Sequence, residues 1–69
     1  MYLCIISTYY EIYALGETKA EAKANALKGY KKRYKKEDRT LENPTPDELI
    51  EYFGGGVYYI DPKKNYTSQ

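Results

Sequence analysis

The sequence has no histidine and no tryptophan, and only one cysteine, one methionine and one phenylalanine among 69 residues. Each shortage excludes something. Without histidine the usual nucleophile–base pairs of Ser, Cys and Thr hydrolases are missing, and no enzymatic activity is expected. One cysteine cannot close an internal disulfide, and without histidine it cannot contribute to a mixed Cys/His zinc site. Neither a metal nor a cofactor is expected. No apolar run approaches the roughly 20 residues of a membrane span. Met1 leads directly into strand-like residues, with no basic leader and no long apolar segment. The expectation is therefore a soluble, cytoplasmic chain with no membrane partner.

A chain this short forms one domain, residues 1–69, and buries only roughly 60% of its unfolded surface. Homo-oligomerisation would add stability, so a second copy of the chain is one candidate partner. Cys4, within Leu3-Cys4-Ile5-Ile6, reads as a small buried hydrophobe, not a reactive thiol.

What the chain has in excess is tyrosine, ten residues of it. Tyrosine couples a large contact area to a hydroxyl that needs a partner, which suits half-buried sites and interfaces. Charge is uneven beneath a net value of +1. Between Lys19 and Arg39 nine basic residues face three acids, whereas Leu41 to Phe53 holds four acids and no base. Such a dipolar molecule can meet an acidic partner without being a general polycation.

Residues 2–15 are β-branched and aromatic, without Pro or Gly, and read as strand. One strand of that length would span about 45 Å, so a bend is expected around Ser7-Thr8-Tyr9. In the second arm Tyr10, Ile12 and Ala14 share one side, and Tyr9, Glu11 and Tyr13 the wet side. Gly16 to Lys36 reads as one long helix. Gly16 allows the turn, and Thr18 with Glu21 forms a capping box. Ala20, Ala24, Leu27, Tyr30 and Tyr34 form its apolar stripe, with Ala26 at the margin.

Asn43-Pro44-Thr45-Pro46 stops that helix and starts a short one over 46–53, capped by Thr45 and ended at Gly54. Val57 to Ile60 reads as a third strand, with Tyr58 inward beside Ile60 and Tyr59 outward. Asp61 to Asn65 reads as a turn, and Tyr66 to Gln69 as an edge strand or tail. The expected fold is α+β: a three-stranded antiparallel sheet with one long and one short helix on one face, in the order β-β-α-α-β.

Two glycine sites do not make phosphate loops. Gly16-Glu17-Thr18-Lys19 lacks the P-loop order and places an acid where an anion would sit. Gly54-Gly55-Gly56 joins a helix to a strand, the reverse polarity. Asp47 and Glu51, at i,i+4, suit a solvated helix face better than an acid–base pair.

Two features invite partners. One is the basic run, from which Lys28, Lys32, Arg33, Lys35 and Lys36 are candidate contacts to phosphates or to an acidic protein. The other is a strip of Tyr9, Tyr13 and Tyr59 on the uncovered side of the sheet, of the kind that anchors protein interfaces. With the helix on one face and these tyrosines on the other, a single nucleic-acid strand cannot easily use both.

The segment Gly16-Glu17-Thr18-Lys19-Ala20-Glu21-Ala22-Lys23-Ala24-Asn25-Ala26, following a strand, resembles the strand-to-helix junction of HicB-type antitoxins. That family pattern is approximately Gly-Asp/Glu-Thr-x-x-Glu-Ala-x-x-Asn-Ala. Here only two strands precede the helix, and a short extra helix precedes the last strand. The resemblance implies a protein that binds and neutralises a partner. Small tyrosine-rich chains of this kind are also similar in type to phage and mobile-element inhibitors such as anti-CRISPR proteins. The expected function is thus a non-catalytic inhibitor that occludes another protein, an acidic or nucleic-acid-processing one. The alternative is a nucleic-acid-binding accessory protein working through the basic face of the long helix.

Overall fold

A computed structural model describes residues 1–35, 41 and 43–61 of the chain. Its elements are β1 (Tyr2–Ser7), β2 (Glu11–Gly16), α1 (Lys19–Arg33), α2 (Pro46–Phe53) and β3 (Gly55–Tyr59). The three strands form one antiparallel sheet in the order β2-β1-β3, an α+β layout of the expected kind. The bend between β1 and β2 falls at Thr8-Tyr9-Tyr10. Thr8 organises it: its hydroxyl donates to the Tyr10 carbonyl and accepts from the Tyr34 hydroxyl at 3.0 Å.

Central strand β1 supplies the core. Cys4 and Ile6 are fully buried together with Ala22, Ala26 and Tyr30 of α1 and Leu49 of α2. Alternation along β1 puts Tyr2 on this same helix-covered side and Leu3 and Ile5 on the other. Partly buried Ile12, Ala14 and Val57 complete the covered face from the two outer strands. Burial of each large side chain of this set contributes on the order of 1.5–3 kcal/mol.

α1 runs antiparallel to β2 along a close seam. A Cβ on Gly16 would stand 2.3 Å from the Ala22 nitrogen. Asn25 Nδ2 donates to the Leu15 carbonyl at 2.8 Å, and Gly29 lies against Ile12. At the far end the Arg33 guanidinium covers the Tyr10 ring, 4.0 Å from its centroid. This approach turns the helix by about one residue, roughly 100°, from the expected stripe. Ala22, Ala26 and Tyr30 are buried, while Ala20 and Ala24 face solvent. The smallest available stripe is the one that lets the backbones come together.

Two expectations for α1 also change. The Thr18 hydroxyl accepts from the Glu21 amide as expected, but the Glu21 carboxylate reaches the Glu17 N–H, not that of Thr18. α1 ends at Arg33, before the expected limit at Lys36. There Tyr34 goes extended, and its ring packs 5.1 Å from Tyr30. Lys36, the remainder of the connector as far as Thr40, Glu42 and the turn and tail from Pro62 onward lie outside the described residues.

α2 has the bounds expected for it, and its capping box is complete: Thr45 and Glu48 satisfy each other's amides at 3.2 and 2.8 Å. Gly54 ends it at φ 99°. β3 begins earlier than expected, inside the glycine run. At Gly55 (φ 129°) any Cβ would stand 1.9 Å from the Ile5 oxygen, so only glycine lets the chain pair there.

Candidate functional site

Both helices lie on one side of the sheet, and among the described residues none covers the other side. Its rows follow from the register. Leu15, Leu3 and Tyr58 lie side by side across the three strands, and Tyr13, Ile5 and Gly56 form the next row. Tyr58 leans along β3 over Gly56, where a Cβ would meet its hydroxyl oxygen at 3.0 Å. The aromatic ring thus fills the space that the glycine leaves beside Ile5. Leu15, Tyr13 and Tyr58 are each more than half exposed.

Glu11 and Ser7 close the row nearest the bend. Glu11 is the one charged residue among the strand positions of this face. Its carboxylate accepts the Tyr13 hydroxyl, and that hydrogen bond raises the phenol above its ordinary pKa. The surface is apolar at its centre, and its hydroxyls and one carboxylate sit toward one end. It offers shape and hydrophobic contact.

The three candidate tyrosines separate. Tyr13 belongs to the open face. Tyr9 stands at the bend and is 98% exposed. Tyr59 corrects the expectation: it pairs with Tyr2, so it lies on the helix side, where the two rings meet edge-on with centroids 5.4 Å apart. Val57, opposite Cys4, sets the parity of β3, and Tyr58 takes the outward place. The expectation took Ile60 as the inward anchor, but Ile60 lies beyond the strand. Leu3, Ile5, Leu15 and Tyr58 are the residues missed by sequence reasoning. Period-two alternation extended from Tyr13 to Leu15, and from Cys4 to its neighbours, is the signal that finds the first three.

Lys28, Lys32 and Lys35 are exposed, as is Arg33 over Tyr10; Lys36 lies outside the described residues. The basic side of α1 and Tyr13 are on opposite surfaces, as expected. Tyr9 and Tyr10 are not, because the bend brings them to the C-terminal end of α1.

The remaining chemistry is structural. Asp47 forms an ion pair with Lys23 at 2.9 Å and so ties α2 to α1. Burial pushes the Cys4 thiol above its ordinary pKa, with nearby Lys23 opposing, which favours the neutral thiol over the nucleophilic thiolate. Leu41, Glu48, Glu51 and Tyr52 line a shallow surface depression of about 370 Å³; one of its two acids, Glu48, is engaged in the α2 cap. Among the described residues no group of three or more acids or cysteines is placed to hold a metal ion, and no helix is long and apolar enough to cross a membrane. In comparisons with protein-family models, curated proteins and solved structures, nothing matches this chain.

Proposed function

We propose that the chain is a non-catalytic binding protein that occludes a surface of another protein, in the manner of an antitoxin or an anti-defence inhibitor. The observation that carries this reading is the open sheet face built from Leu3, Ile5, Tyr13, Leu15 and Tyr58. A sheet covered on one side commonly carries polar residues on the other. Here the strand positions of that other side hold a single charge, Glu11. Contiguous exposed apolar surface of this kind marks an interaction site. Tyrosine at two of its positions supplies rigid, amphipathic anchors. The likeness of residues 16–26 to an antitoxin junction points the same way.

The test is capture from the native host by the tagged protein, compared with Leu15→Lys and with the double variant Tyr13→Ser/Tyr58→Ser. Capture of a defined partner should fall at least tenfold in both, with the far-UV circular dichroism unchanged. Undiminished capture by both folded variants would remove the sheet face from the function.

A further inference from the structure

The end of the molecule away from the β2–α1 turn carries a second surface, made of different residues and independent of the open face. From Lys28 to Lys35 the chain holds Lys28, Lys31, Lys32, Arg33 and Lys35 without an acid. Among the described residues, Lys28, Lys32 and Lys35 have no ion pair. The β2–α1 seam fixes where this charge goes. Asn25 and Gly29 touch β2, and Lys32, three residues beyond Gly29, continues that stripe toward the bend. Lys28 stands on the solvent side of the same stripe. Arg33 closes over Tyr10, and Tyr9 follows in the bend with almost its whole side chain in water.

We infer that this end is a binding site for single-stranded nucleic acid. Charge complementarity selects a polyanion. The aromatic residues select among polyanions. Exposed Tyr9, next in sequence to the Tyr10 ring that Arg33 covers, supplies with it aromatic surface on which unpaired bases stack, and each stacked base contributes on the order of 1–3 kcal/mol. A duplex hides its base faces, and an acidic polypeptide has none. Lys28 and Lys32 are one turn apart, about 6 Å along the helix, comparable to the step between successive phosphates of an extended strand. The backbone would run along Lys28 and Lys32 with bases directed toward Tyr10 and Tyr9. The expectation that the basic helix and the outer tyrosines lie apart holds for Tyr13 and fails for Tyr9, while Tyr10 was expected on the helix side.

Fluorescence anisotropy with labelled oligo(dT) and oligo(rU) of about 12 nucleotides tests the inference, since aromatic single-strand sites span roughly 4–16 nucleotides. Binding of at least one oligomer is expected at low salt. Its log–log salt slope should be about −2 to −3 for three to four neutralised phosphates. Tyr9→Ser/Tyr10→Ser should weaken binding at least tenfold, and Lys28→Glu/Lys32→Glu should abolish it, both with unchanged circular dichroism. A blunt duplex and polyglutamate should bind more weakly than the single strands and be insensitive to the tyrosine substitutions. No binding of either oligomer at about 50 mM salt would overturn the site, since phosphate contacts are strongest there. Equal binding of duplex or polyglutamate, or indifference to loss of both tyrosines, would also overturn it. Leu15→Lys should leave oligonucleotide binding unchanged, so this site and the sheet face stand or fall separately.

Discussion

Gly16 and Gly55 are the two positions where a single methyl group decides whether the chain can close. At Gly16 the obstruction is the backbone of Ala22, which cannot move without lifting the first turn of α1 off the sheet. At Gly55 it is the Ile5 carbonyl, and a positive φ adds strain. Overpacking of this kind costs about 1–3 kcal/mol. Gly16→Ala and Gly55→Ala should each lower the unfolding free energy by that amount, read as a lower urea midpoint at constant slope. A wild-type midpoint in either would mean that the close approaches are not present in solution. The sequence marked Gly16 as important for the wrong reason. Its place between strand and helix suggested a sharp turn, but its φ is not positive, and what the site needs is the absence of a Cβ. Such a need is set by the neighbouring backbone and leaves no local trace.

At the scale of elements the same seam determines the face that α1 turns inward. An alanine-rich helix offers several stripes of similar hydrophobicity, and periodicity alone ranks them poorly. Tyr30 and Leu27 fit both stripes, which is why the expected face overlapped the real one and still missed Ala22. The approach of Gly16 to the Ala22 backbone and of Gly29 to Ile12 settles the choice and turns the small side chains of Ala22 and Ala26 to the core. The caps were legible, since Thr18, Thr45, Pro46 and Gly54 act through bonds to near neighbours. The long strand's bend was legible from length. The orientation of β3 was not, because its parity depends on pairing with β1, some fifty residues away. A direct check separates the two stripes. Ala24→Lys should change stability by less than about 0.5 kcal/mol, as exposed substitutions do. Ala26→Lys places a charge in the core and should leave the chain unfolded by circular dichroism. The opposite result, tolerance at 26 and unfolding at 24, would restore the stripe through Ala20 and Ala24.

At the scale of the molecule, the core of the described residues lies on one side of the sheet, and this makes the two sides unequal in what they contribute. Leu49 is fully buried and forms the contact of α2 with the central strand's inner residues. Removing such a side chain costs about 2–5 kcal/mol, and a domain of this size commonly has only about 3–5 kcal/mol to lose. Leu49→Ala should therefore unfold a large fraction of the protein at 37 °C. Leu15 is about as apolar but half exposed on the open face, so Leu15→Ser should cost under about 1 kcal/mol. Urea titrations of both variants, each at two protein concentrations, decide the matter. A small, concentration-independent loss for Leu15→Ser identifies a face kept free for a separate partner. A loss comparable to that of Leu49→Ala would mean that the face already contributes to folding. If that loss also shrank with dilution of the wild type, the covering surface would be a second copy of this chain, because only association makes a midpoint depend on protein concentration.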